Sequence, residues 1–283
     1  MFICRFNNNR FGIVIDGLVL DASEAIECLP THKYPYPSYD SLIKNLPYFI
    51  ENIKQIMKKN NCKPVENVKF LSPVANIGKV IAAPVNYQDH IDEANKDAEI
   101  KNSTLILPIE KAGLFLKANS SVIGGSEIVN IQNLNRRTDY EVELAVIIGK
   151  KAKNIPSEKA LACVAGYCIG LDITMRGTED RSMRKSSDTY TVLGPWLATA
   201  DEIQDPSNLD LSLYLNGELK QNSNTAQMIL NVPSLISYAS SFYTLFPGDI
   251  ILTGTPAGVG ALKPGDTIKS SISGIGSMIT KVI

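Results

Sequence analysis

Hydrophobic and polar positions alternate in short stretches over most of the chain. The opening stretch FICRFNNNRFGIVIDGLVLDAS reads as two or three short strands separated by polar turns. Asp16-Gly17, set between apolar residues 13–15 and 18–20, is a hairpin signal. From about residue 39 to 60 the period becomes helical. Leu42, Ile43, Leu46, Phe49, Ile50, Ile53, Ile56 and Met57 fall on one face, with Lys and Asn opposite. Pro47 inside that run predicts either two helices or one kinked helix. Residues 61–74, with Pro64 and Pro73, read as a linker. They place a boundary near residue 75, between a small N-terminal domain (1–75) and a larger domain (76–283).

Beyond that point strands dominate. Apolar strands are predicted at 79–83, 142–149 and 166–173. Leu209, Leu211, Leu213 and Leu215 alternate with polar residues and run into the hairpin dipeptide Asn216-Gly217. An amphipathic helix is predicted over 232–246, then a Pro247-Gly248 turn and a strand at 250–253. The tail reads as short strands punctuated by glycines. There is no regular βαβ alternation, so the pattern predicts an α+β fold with an antiparallel or mixed sheet, not a dinucleotide-binding fold.

Composition narrows the classes. Hydrophobic residues make up 44% and charged residues 20%, enough for a sizeable core and against global disorder. Lys and Arg number 28 against 29 acids, so no basic excess points to nucleic acid or an anionic membrane. The longest apolar run, residues 161–173, is interrupted by Gly166 and Gly170 and falls short of the roughly 20 residues a bilayer span needs. Arg5, three Asn and Arg10 break up the N-terminus, which lacks a signal-peptide core. Cys4, Cys28, Cys62, Cys163 and Cys168 show neither disulfide-framework nor zinc spacing. A cytoplasmic, globular protein is expected.

Few residues carry candidate chemistry. In Asp139-Tyr140-Glu141-Val142-Glu143, a strand would put Glu141 and Glu143 on one face, just before a run that should be buried. Adjacent half-buried carboxylates need a cation, a proton or a basic partner, unless that face is simply solvated. Asp172 ends another apolar strand, where an unpaired carboxylate is costly. It is either a strand-end turn residue or a third acid in an all-oxygen site suited to Mg²⁺, with Mn²⁺ or Ca²⁺ as alternatives. His90 follows a strand and a Pro-Val-Asn-Tyr turn, with Glu93 three residues on. That spacing makes either a surface pair or an oriented general base. His32, in a Pro/Tyr-rich loop, reads as surface. The charged run RGTEDRSMRK, residues 176–185, is a solvated loop or supplies Arg176 or Lys185 to a substrate carboxylate. The stretch GTPAGVG, residues 254–260, fits no phosphate-loop pattern but could turn Thr255 and bare backbone N–H groups toward an anion.

Taken in order, these segments resemble the fumarylacetoacetate hydrolase family. The resemblance rests on VNYQDHIDE (85–93), FLK (115–117), TDYEVEL (138–144), GLDITMR (170–176), LGPW (193–196) and PGDIILTGTPAGVG (247–260). It implies a mixed β-roll catalytic domain, a homodimer, and a small variable leading domain over residues 1–75. It implies Glu141, Glu143 and Asp172 as metal ligands, and His90 with Glu93 as the catalytic pair. Lys185 and Lys117 would line the pocket, Lys185 as a further catalytic residue, and Lys117, Arg176 and Thr255 would bind substrate. The implied substrate is a small 2-oxo or 2,4-dioxo acid, cleaved at a carbon–carbon bond through an enolate with Mg²⁺. The same site would serve an isomerase, tautomerase or decarboxylase of a 2-oxo or 2-hydroxymuconate-type dicarboxylic acid. A catalytically decayed metal-binding relative is the alternative of another class. Two departures stand out. Residues 176–179 read Arg-Gly-Thr-Glu where the family commonly reads RDxQ, and Lys117-Ala118 replaces Lys-Pro. An acid at 179 would repel a substrate carboxylate unless protonated or turned away.

Overall fold

The strand Val142–Ile148 buries all seven of its residues. It has strands on both sides and a core on both faces, which is why its sequence is apolar apart from Glu143. Val142, Leu144, Val146 and Ile148 face one core, and Ala145 and Ile147 face the other. Its neighbours are Val164–Asp172 and Ile250–Leu252, both antiparallel to it. The computed structural model describes residues 1–58, 63–97, 100 and 107–283.

These strands lie at the centre of an 11-stranded mixed sheet. On one side Ile250–Leu252 pairs in parallel with Val80–Ala82, which pairs with Phe115–Lys117. On the other, Val164–Asp172 pairs with Thr191–Thr199, which in turn pairs with Phe2–Phe6. The N-terminal strands Arg10–Ile15 and Leu18–Asp21 complete that edge. Sheet hydrogen bonding therefore runs across the sequence boundary near residue 75. A five-stranded sheet contains the predicted hairpin Asp210–Leu215 to Glu218–Asn224. A three-stranded sheet joins Thr138–Tyr140 to Thr174–Met175 and Gly260–Ala261. Both hairpin dipeptides take left-handed backbone at each central residue: Asp16 and Gly17 at φ 49° and 78°, Asn216 and Gly217 at 51° and 85°. That geometry matches the twist of the strands they join.

The helical run near the N-terminus forms two helices, Ser41–Lys44 and Leu46–Lys58. The break falls at Asn45, and Pro47 sits in the first turn of the second helix, where a missing N–H costs nothing. Asp40 caps the first helix by accepting from the Ile43 N–H at 2.9 Å. The expected end of the helical run at residue 60, the start of the linker at 61–62 and Cys62 lie outside the described residues. The rest of the expected linker is not unstructured. Phe70–Leu71 pairs with Phe2–Phe6, a long-range pairing that local sequence pattern does not reveal. The C-terminal helix runs Val232–Phe242 and stops short of the expected 246. Tyr243 is extended, and Leu245 exchanges two backbone hydrogen bonds with Ala152 instead.

Truncating the doubly covered strand tests this packing. Ile147→Ala is expected to lower unfolding free energy by about 2–5 kcal/mol, read as a fall in the urea midpoint at unchanged slope.

Candidate metal centre and active site

Strand register brings the three acids together. Val142 pairs with Leu171 and Glu143 with Gly170, and the Asp172 N–H donates to the Glu141 carbonyl at 2.9 Å. Alternation then puts Glu141, Glu143 and Asp172 on one face of adjacent strands. One oxygen from each carboxylate lies within 4.8 Å of the others. All three are buried, at 3%, 2% and 1% exposure. Among the described residues this is the one cluster of metal-ligating type.

Cations surround two of the acids and leave the third without one. Lys185 Nζ donates to Glu141 Oε2 at 2.7 Å and to Asp172 Oδ2 at 2.6 Å. Arg176 reaches Glu141 Oε1 at 3.0 Å and Asp139 Oδ2 at 2.8 Å. Burial alone would raise the Glu141 pKa, but Lys185 and Arg176 hold it well below the usual carboxylate range. Glu143 accepts only the Gly254 N–H, at 2.6 Å, and makes no ion pair with a described residue. Burial, with the charges of Asp172 and Glu141 beside it, pushes its pKa well above the ordinary value. A carboxyl kept this dry is stabilised in its ionised form by an added positive charge. The all-oxygen donor set therefore fits a hard divalent cation.

His90 sits on the buried face of helix Gln88–Lys96, and its Nδ1 lies 3.1 Å from Glu93 Oε2. Glu93 Oε1 in turn accepts the Gly258 N–H at 2.9 Å. The turn before the helix is locked by Asn86, which donates to Thr253 and Leu230 carbonyls and accepts the Leu230 N–H. Gly254 follows Thr253 at φ 94°, and a Cβ there would sit 2.7 Å from the Asn86 side chain. His90, Glu141, Glu143, Arg176, Lys185 and Thr255 all line one cavity of about 470 Å³. Val85, which also lines it, holds a left-handed φ of 43°, a strained conformation for a β-branched residue.

Two residues expected against the substrate have their polar side-chain atoms engaged within the protein. The Lys117 side chain has no exposed surface, and it donates to Asp172 and, at 2.9 Å, to the Tyr190 carbonyl. Burial lowers its pKa despite Asp172. It underpins Asp172 from within the sheet and is absent from the cavity wall. The Thr255 hydroxyl donates to the Val142 carbonyl and accepts from Gln221, both at 2.8 Å. Its polar atom is thus engaged in joining the glycine-rich stretch to the acidic strand.

The departures at 177 and 179 are accommodated by a neighbouring arginine. Glu179 is turned toward Arg136, whose two terminal nitrogens meet it at 2.8 and 2.7 Å. Arg136 also donates to the Arg176 carbonyl at 3.1 and 2.7 Å. A Cβ on residue 177 would overlap the Arg136 guanidinium, so Gly177 leaves room for that ion pair. Sequence reading missed Arg136, Asp139 and Gln221. Asp139 extends the Glu141/Glu143 alternation by one step, and that signal was available. Arg136 and Gln221 act through long-range contacts with no local signature.

Residues 79–283 match the family described as Fumarylacetoacetate (FAA) hydrolase C-terminal. The chain belongs to the fumarylacetoacetate hydrolase family. It is 52% identical over 280 residues to a maleylpyruvate hydrolase of Aquipseudomonas alcaligenes, covering 98% of both chains. It is 39% identical over 232 residues to a mitochondrial oxaloacetate tautomerase of Rattus norvegicus, covering 78% of this chain and 71% of the relative. Among solved structures it resembles a maleylpyruvate hydrolase from Sphingobium sp. SYK-6, in complex with manganese(II) and pyruvate. The TM-score is 0.84 and the identity 33%, covering 100% of this chain and 99% of the other. The fold is thus the mixed-sheet fold of this family, and the chain is an enzyme of it. The manganese-bound relative and the acidic cluster together support a divalent-metal site. No helix among the described residues is long and apolar enough to cross a membrane.

The unequal pairing of the acids separates their variants. Glu143→Gln is expected to keep the fold and lose Mn²⁺ affinity at least tenfold by calorimetry. Asp172→Ala strands buried Lys117 and Lys185 and is expected to cost about 3–5 kcal/mol of stability, read by urea unfolding without metal.

Proposed function

We propose that the chain is a Mg²⁺-dependent hydrolase that cleaves a carbon–carbon bond in a 2,4-dioxo acid of the acylpyruvate type, with Mn²⁺ or Ca²⁺ as substitutes. The observation that carries this reading is a buried acidic triad sharing one cavity with an oriented His–Glu pair. The 52% identity to a maleylpyruvate hydrolase over nearly the whole chain supports it.

Glu141, Glu143 and Asp172 would hold the metal. Bound there, a divalent ion supplies Lewis acidity toward the carboxylate and keto oxygen of the 2-oxo acid end. Glu93 holds the Nδ1–H of His90, which leaves Nε2 free to take a proton from water. That water attacks the carbonyl at carbon 4, and the bond between carbons 3 and 4 breaks. The electron pair passes to carbon 3, and a proton returned there yields pyruvate and a second acid. Lys185, at the cavity wall between Glu141 and Asp172, offsets charge developing near the metal end. Arg176 orients Glu141 and faces the same space. Lys117 is assigned to the substrate end through Asp172, and Thr255 through its backbone and its hold on the glycine-rich stretch. The enzyme is assigned to the cytoplasm as a homodimer, with residues 1–75 as a small leading domain joined by strand pairing to 76–283.

A tautomerase reading is favoured by one observation, the likeness to oxaloacetate tautomerases. It uses the same metal and histidine but needs no attacking water. Incubation with acylpyruvates and Mg²⁺ separates the two: release of pyruvate supports hydrolysis, and enol–keto exchange of oxaloacetate without cleavage of any acylpyruvate overturns it. His90→Ala is expected to lower kcat by about 10²–10⁴-fold while substrate binding by calorimetry persists. Chelation by EDTA is expected to abolish turnover, with Mg²⁺ restoring it.

A further inference from the structure

Glu179 is an acid on the wall of the cavity that the metal-type carboxylates share. Left to itself, its charge would oppose any anionic ligand entering that space. Its carboxylate is instead gripped from outside. Arg136, which is not part of the wall, meets Glu179 Oε1 and Oε2 at 2.8 and 2.7 Å. No other cation among the described residues forms an ion pair with it. Arg184 reaches the Glu179 backbone carbonyl, at 2.8 Å, and makes no hydrogen bond to its carboxylate. The hydrogen bonds from Arg136 hold the Glu179 carboxyl below its usual range, so the acid stays ionised and paired.

Partly exposed ion pairs are usually weak, because water screens the charges and two flexible side chains must be ordered. Here the second cost is already met. Arg136 is fixed by donating to the Arg176 carbonyl at 3.1 and 2.7 Å, and its fork matches both carboxylate oxygens. Its path is open only because residue 177 has no side chain: a Cβ there would lie 1.7 Å from Arg136 Nη2. We propose that Arg136 is a positioning residue for substrate binding, which holds Glu179 and masks its charge so that the cavity wall admits an anionic 2-oxo acid. It acts through Glu179 and touches no substrate itself. Asp180 also lies on that wall, beside Arg181 and Arg184, and accepts the Ser182 N–H at 2.8 Å. It is common to every variant below and cancels from their comparison. The role rests on the reading that the cavity takes a 2-oxo acid at a divalent ion, and not on whether that acid is cleaved.

The test is calorimetric titration of the Mg²⁺-loaded protein with 2-oxohexanoate, an acid with a single carboxylate. Arg136→Gln is expected to weaken binding about 3–30-fold, the effect of one unit charge roughly 8–15 Å away in a partly hydrated site. The loss is expected to shrink as NaCl is raised, because salt screens a charge released toward solvent. Gly177→Ala, which closes the path of the guanidinium, is expected to weaken binding in the same way. Adding Glu179→Gln to either variant removes the unmasked charge and is expected to return affinity to within about twofold of wild type. A merely structural clamp would show neither the salt dependence nor this rescue. Unchanged circular dichroism excludes a folding defect, and if Arg136→Gln misfolds, Gly177→Ala with and without Glu179→Gln carries the test. A loss that persists in the double variants, or an affinity indifferent to Arg136 and Gly177, overturns the role of Arg136 alone. A wild type that binds no 2-oxo acid overturns that role together with the reading it rests on. Acylpyruvate turnover is scored separately: a protein that shows loss and rescue yet cleaves no acylpyruvate keeps Arg136 assigned and refutes hydrolysis.

Discussion

Three carboxylates on one face of two apolar, fully paired strands set the terms for the rest of the structure. Each is almost wholly removed from water, where isolated negative charges are unstable by several kcal/mol. The strands cannot move apart to hydrate them, because Val142–Ile148 is hydrogen-bonded on both edges and packed on both faces. The remedies left are a proton, toward which the raised pKa of Glu143 inclines, or positive charge brought in from elsewhere. Lys117 arrives from one segment, and Arg176 and Lys185 from the charged run 176–185, to provide that charge.

That supply is uneven, and the unevenness is chemically useful. Asp172 and Glu141 are matched by protein cations, whereas Glu143 has a single backbone N–H. The framework of the acidic cluster therefore stands without a metal ion. Lys117 pins Asp172 from beneath, and Arg176 and Lys185 fix Glu141 from the cavity side. The acids are preorganised by charge, and Glu143 is the one most in need of a cation.

The rim follows the same logic with the opposite sign. Residues 177–179 differ from the common family pattern, yet the acid at 179 is neutralised by Arg136, and Gly177 leaves the space through which that arginine passes. The two departures are linked through Arg136, which pairs with Glu179 and occupies the space that Gly177 leaves. His90 and Glu93 depend on a separate framework, in which Asn86 ties their helix to the strand end at Thr253.

Much of the site was legible in the chain because it rests on period-two alternation. Glu141 and Glu143 share a face wherever residues 141–148 form a strand, and an acid closing the apolar run at 172 is costly there unless a cation meets it. The hairpins at 16–17 and 216–217 and the split of the helical run around Pro47 were equally local. What alternation does not contain is register. That Asp172 stands opposite Glu141, one strand over and on the same side, follows only from the pairing of Glu143 with Gly170. The burial of Lys117 behind Asp172, the turning of Glu179 to Arg136, the capture of the Thr255 hydroxyl by Gln221 and the strand within the expected linker are decided there too. Residue type and local period determine which groups can carry charge and which face they share. Distance between segments is set by long-range packing, and the energy of a buried charge depends on that distance.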